Sequence, residues 1–152
     1  MTVRTLFAVG VGHTGCMEYE VRHTEDIPCE DMSKQPDMPI DLTVQRVGEE
    51  LGLEQLRTSI IHFEAGEEIG YHAHSNQEEL YYVVDGRFSL KLGQAGDTEI
   101  VEVGPETFFA AGPRIGHGHR CISSNGGVVL AIGAPSVPDP GLDPHELAED
   151  EA

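Results

Sequence analysis

Residues 66–86 read GEEIGYHAHSNQEELYYVVDG, and this stretch decides the fold. His72 and His74 stand two apart, and Glu79 follows five residues after His74. On a β-strand, side chains two apart share a face, so both imidazoles project to one side. Ser75-Asn76-Gln77 is polar and reads as a turn, and residues 79–84 (ELYYVV) are rich in strand formers. A strand–turn–strand unit brings Glu79 back over the histidine pair. Two nitrogens and one carboxylate on a common face form part of a coordination shell for a divalent ion.

Outward from that unit, short strand signals recur between turn signals. Residues 57–63 form a strand ending at the Glu64-Ala65-Gly66-Glu67 turn, and Asp85-Gly86 is a hairpin signal leading into residues 87–92. Residues 98–103, 107–111, 116–123 and 128–133 follow, separated by Gly-Pro, Gly-Asp and Asn-Gly punctuation. Residues 41–47 alternate well enough for a strand, and Glu49-Glu50-Leu51 can make one helical turn before Gly52 limits it. About eight short strands with almost no helix predict an all-β sandwich or barrel.

The flanks read differently. Residues 2–9 and 17–22 suggest a peripheral strand pair, and residues 27–39, with three prolines, an extended linker. From Pro135 onward prolines and acids dominate, which predicts an exposed, partly disordered acidic tail. A helical turn over residues 144–148 carries no assigned chemistry. The division is therefore 1–40 for N-terminal strands and linker, 41–134 for the barrel, and 135–152 for the tail.

At 152 residues the chain is sized for one domain. The formal charge of −18 arises from 27 acids against nine Lys and Arg. Such a surface repels nucleic acid and anionic membranes, which excludes both as expected partners. Acid spread along the whole chain fits a halophilic protein, because at molar salt the Debye length of about 3 Å screens the self-repulsion. No apolar run is long enough to span a bilayer and no secretion signal is evident, so the expected compartment is the cytoplasm. Cys16, Cys29 and Cys121 form no C-x-x-C pair, which suits reduced thiols.

The pattern Gly66-x5-His72-x-His74-x4-Glu79-x6-Gly86 resembles the first signature of the cupin superfamily at each of its five required positions. The second signature, roughly G-x5-P-x-G-x2-H-x3-N, is matched in part. Aligned on His117, it places Glu106 where the family has its first glycine, Gly112 for proline, Arg114 for the second glycine and Cys121 for asparagine. The resemblance covers about residues 42–134. It implies a double-stranded β-helix, or jelly-roll barrel, holding one divalent first-row metal (Mn, Fe, Ni, Zn or Cu) on His72, His74, Glu79 and His117. It also implies a small-molecule ligand or substrate and a homodimer.

Other residues have competing roles. His119 lies two beyond His117, about 6.6 Å further along the same strand face. It could replace His117 as a ligand, support the ligands, or serve as acid or base. Tyr81 shares Glu79's face and is the other catalytic candidate, while Tyr82 points outside. Glu78 points away from Glu79, and the side that His62 faces is open. Cys121 reads as a small buried hydrophobe. Tyr71 and Arg114 are candidates for the cavity mouth, and Phe108 and Phe109 for the core. Two functions fit: a metal-dependent dioxygenase or isomerase, or a non-catalytic binding or sensing module with a structural metal.

Overall fold

Alternating runs such as residues 57–63 give each strand one apolar face, and two sheets packed face to face bury those faces together. The computed structural model describes residues 19–34 and 42–150. Its strands are β1 (Glu30–Asp31), β2 (Thr43–Gln45), β3 (Arg57–Phe63), β4 (Glu68–His72) and β5 (Glu78–Asp85). They continue with β6 (Phe88–Gln94), β7 (Asp97–Val103), β8 (Phe108–Ala111), β9 (His117–Cys121) and β10 (Gly127–Ala134). Two short helices, α1 (Val47–Glu50) and α2 (Pro144–Asp150), complete the set. None of the helices is long and apolar enough to cross a membrane.

A six-stranded sheet runs β1-β2-β3-β10-β5-β8 and a four-stranded sheet runs β4-β9-β6-β7, with antiparallel pairing throughout. Strands adjacent in sequence, β3 and β4 or β4 and β5, fall in different sheets, which is the crossing pattern of a jelly roll. Ile61, Phe63, Tyr81, Val83, Phe88, Leu90, Phe109, Cys121 and Val129 fill the space between the sheets. Full burial of a side chain such as Phe88 or Leu90 contributes about 1.5–3 kcal/mol. Cys121 is in this core, as a small hydrophobe would be.

Two devices aim the site. The β4–β9 ladder shifts register between Ile69 and His72, so Ile69 opposes His119 while His72 opposes His117. That irregularity lets Ile69 and His72, three apart, both turn inward. Gly118 permits the close approach of the two strands there: a Cβ on it would lie 2.9 Å from the Tyr71 backbone nitrogen. Further along, Glu106 and Arg114 are the only described non-glycine residues with positive φ, at 64° and 65°. These are the two positions where the partial signature calls for glycine, so the backbone keeps the left-handed geometry although the side chains differ.

The structure corrects several expectations. Residues 1–18 and 35–41 lie outside the described set, and with them most of the expected N-terminal strand pair. Residues 19–22 form no strand, whereas Glu30–Asp31, placed in the linker, pairs with β2. Phe109 is core, but Phe108 is 65% exposed, because neighbours on a strand point to opposite faces. The segment after Pro135 is not wholly an exposed tail. Leu142 bridges Ala73, and Asp139 is buried.

Candidate metal centre

His117 sits on β9 and Glu79 on β5, strands of opposite sheets, while His72 ends β4 and His74 begins the turn that follows. Strand β4, the turn and β5 form the strand–turn–strand unit read from the sequence. Glu79 Oε2 lies 2.6 Å from His117 Nε2, 3.3 Å from His74 Nε2 and 3.8 Å from His72 Nε2. One ligand atom from each residue falls within 4.8 Å of all the others.

The far side of every ring is tied down. His72 Nδ1 pairs with the Gly70 carbonyl at 2.8 Å, His74 Nδ1 with the Asp139 carbonyl at 2.7 Å, and His117 Nδ1 with the Ile115 carbonyl at 2.9 Å. A carbonyl only accepts, so each Nδ1 carries a proton and each Nε2 is the atom turned toward Glu79. That nitrogen donates to the carboxylate when the ring is protonated and would offer its lone pair to a metal when the ring is neutral. Such carbonyl partners set the tautomer and orientation of metal-binding imidazoles. Three imidazole nitrogens and a carboxylate suit a first-row divalent ion, so the donors fit the group that the resemblance implies.

The electrostatics agree. Burial alone would push the Glu79 carboxyl up, but hydrogen bonds from His117, His72 and His74, and one from Tyr81, hold it far below the usual carboxylate range. Glu79 is thus an anion in a part-buried site, and a cation held there would balance it. The bond to Glu79 raises the His74 pKa against the opposing effect of burial. Tyr81 donates its phenol proton to Glu79 Oε2 at 2.6 Å, and burial with the Glu79 charge pushes its own pKa well up. Tyr81 therefore acts here as a fixed neutral donor.

His119 goes elsewhere. Its ring lies 5.0–6.0 Å, centroid to centroid, from Tyr81, Phe109, Phe63 and Phe88, and neither ring nitrogen has a hydrogen-bond partner. Burial, with His117 and His72 nearby, brings its pKa down to about 3. It is a neutral aromatic in the core, outside the four-residue cluster. His62 points away from the cavity to Gln45, at 2.8 Å. Tyr82 contacts Phe108 on the outside.

Three of the four, His72, His74 and Glu79, lie on the wall of a cavity of about 750 Å³. Tyr71 and Tyr81 line it, whereas Arg114 is not part of its wall. The sequence reading passed over three further contributors. Arg57 and Lys91 line the wall, and Gly141, Leu142, Asp143 and His145 of the C-terminal segment close one side. Asp139 anchors that segment. Its carboxylate accepts backbone N–H bonds from Ser75, Asn76 and Gln77 at 2.7–3.0 Å, and its carbonyl orients His74. No local pattern signals this, because the partners are more than sixty residues apart.

A family model described as a cupin domain matches residues 59–133. None of the curated proteins searched matches the sequence. Among solved structures, an RmlC-like cupin from Shewanella frigidimarina NCIMB 400 is 23% identical with a TM-score of 0.60, covering 80% of this chain and 97% of that one. A sugar phosphate isomerase from a cupin superfamily, from Silicibacter pomeroyi DSS-3, is 22% identical with a TM-score of 0.64, covering 76% and 75%. KdgF from Halomonas sp. is 19% identical with a TM-score of 0.59, covering 76% and 94%. At such identities the likeness is one of fold.

Proposed function

The chain belongs to the cupin superfamily, and on that premise we propose that it takes a small molecule into the barrel at a metal centre held by His72, His74, Glu79 and His117. The observation that carries this reading is the position of His72, His74 and Glu79 on the wall of an open cavity of about 750 Å³, within the range of small-molecule sites, with His117 buried directly behind Glu79 at 2.6 Å. A purely structural metal calls for a closed shell packed by aliphatic side chains, and this wall is mixed. Ile61, Ile69 and Leu142 supply apolar surface, while Ser59, Tyr71, Asp143 and His145 supply polar groups.

A divalent ion there supplies either Lewis-acid polarisation of a carbonyl or, if redox-active, oxygen chemistry. The chain's own residues set the conditions. The Gly70, Asp139 and Ile115 carbonyls keep the three rings in one tautomer. Tyr81 holds the Glu79 carboxylate in place and keeps its own proton. Leu142, bridged to Ala73, lines the cavity beside the histidines. Isomerisation of a small carbonyl compound and dioxygenation both remain within this chemistry, and the identity of the metal separates them.

The test is elemental analysis of natively expressed protein, beside the His72→Ala/His74→Ala double variant. One equivalent of a first-row metal in the wild type and none in the variant is the expected result. Equal metal content in both would sink the assignment.

Two further expectations belong to the same reading. A net charge of −18 supports work at high salt, with a melting temperature that rises toward molar salt. The homodimer is supported by Leu80, Val84 and Phe108, all at least 40% exposed on the outer face of the six-stranded sheet. Light scattering of Phe108→Asp against wild type checks it.

A further inference from the structure

Where this acidic chain leaves positive charge unpaired bears on what the cavity receives. Arg22, Lys34, Arg46 and Arg87 each hold a carboxylate within 4 Å, as expected with 27 acids and nine cations in the chain. Arg46 also lines the cavity, but Glu30 at 2.8 Å and Glu49 at 3.5 Å neutralise it. Arg57 and Lys91 have no carboxylate within 4 Å among the described residues, and both line the metal cavity. Arg120 also lacks one and lies away from the cavity wall.

Arg57 and Lys91 come from opposite sheets. Arg57 begins β3, where its guanidinium donates to the Gln77 amide oxygen at 3.4 Å. Lys91 lies on β6, its ammonium 4.4 Å over the centre of the Tyr71 ring. The Tyr71 hydroxyl donates to the Gly93 carbonyl, which holds the ring beneath the lysine. Beside Arg57, a second hollow of about 390 Å³ presents Thr58, Ser59 and Ser136 hydroxyls. Among the described residues, Glu79 and Asp143 are the acids on the main wall, and Glu79 faces the three histidines.

We propose that the cavity selects an anionic small molecule, bearing a carboxylate or phosphate group received by Arg57 and Lys91 while the rest of the molecule reaches Glu79 and the histidines. This rests on the cavity being a small-molecule site. A protein of net charge −18 repels anions at long range, so anion capture needs local cations that its own carboxylates have not claimed. Arg57 supplies a planar fork for oxyanions, with hydroxyl donors alongside. Lys91 supplies a point charge from the other side.

The test uses three probes on one carbon skeleton, glycerol 3-phosphate, glycerate and glycerol, titrated calorimetrically at low ionic strength. The titrations use zinc-loaded wild type, Arg57→Gln, Lys91→Gln and the double variant, with metal content and melting temperature read on every sample. The expected result is that one or both anions bind at least tenfold tighter than glycerol. The double variant should lose at least tenfold in anion affinity while keeping its metal and its fold. The phosphate and carboxylate arms show which oxyanion is preferred. Equal affinity for glycerol and both anions, no anion binding by wild type, or unchanged anion affinity in the double variant would overturn the proposal and leave the metal centre untouched. A wild type that takes up no zinc would overturn the metal centre instead, and the same titrations would still report on Arg57 and Lys91.

Discussion

His117 and His119 are two residues apart on one inward face of β9, yet they occupy different chemical environments. His117 lies at the polar end of the barrel, with Nδ1 tied to a carbonyl and Nε2 2.6 Å from a carboxylate. His119, one step deeper, lies among four aromatic rings with neither nitrogen bonded. Strand periodicity fixes which face a side chain takes, while depth along the barrel fixes whether it meets donors or hydrocarbon. The contrast puts one histidine in the cluster that could hold a metal and the other in the packing of the core.

The sharpest way to break that comparison is to exchange the roles. His117→Ala should weaken metal binding by more than about 100-fold, beyond the usual cost of losing a supporting residue, while His119→Leu leaves it unchanged. Competition with a chelator measures both, and a metal loss in His119→Leu would reverse the assignment. Next in size is the anchor of the polar end. Asp139→Ala removes the acceptor of three backbone N–H bonds and should cost about 1–3 kcal/mol in denaturant unfolding. It should also loosen the His74 ring, with roughly a tenfold fall in metal affinity.

A smaller effect of opposite sign is expected at the aromatic end. His119→Leu removes two unsatisfied buried polar atoms at nearly constant volume, so it should raise stability by up to about 1 kcal/mol. A clear destabilisation would mean that His119 has a partner in solution. The smallest effect concerns His62, outside the barrel, whose pKa burial holds below the usual 6.5. The unfolded chain then binds this proton more readily than the folded one. Its contribution to stability is therefore full above pH 6.5 and lost as pH falls through the folded value. An NMR titration of the His62 ring giving 6.5 or higher would remove this effect.

The strand sequence was legible because alternation and turn residues are local signals, and residues 57–134 carry them without interruption. Three of the four cluster residues were legible for the same reason: His72, His74 and Glu79 belong to one strand–turn–strand unit. Phe108 shows how easily a pair of like neighbours misleads, since a strand can bury only one of Phe108 and Phe109 on a given face. The roles of Asp139, Asp143 and His145 were not legible. The segment reads as prolines and acids, and its burial depends on backbone donors in the turn at residues 75–77.

By itself, the sequence determined the all-β class, the alternation of faces along the strands and the spacing of the first three donors, all consequences of a period of two along the chain. Tertiary structure decided the rest. It placed His117 and not His119 beside Glu79, because the register shift at Ile69–His72 sets which residues of β4 and β9 meet. It folded residues 139–145 against the cavity, and it set Arg57 and Lys91 on opposite sheets with no carboxylate within 4 Å among the described residues. Each of these depends on distances between residues far apart in the chain, which no local pattern encodes.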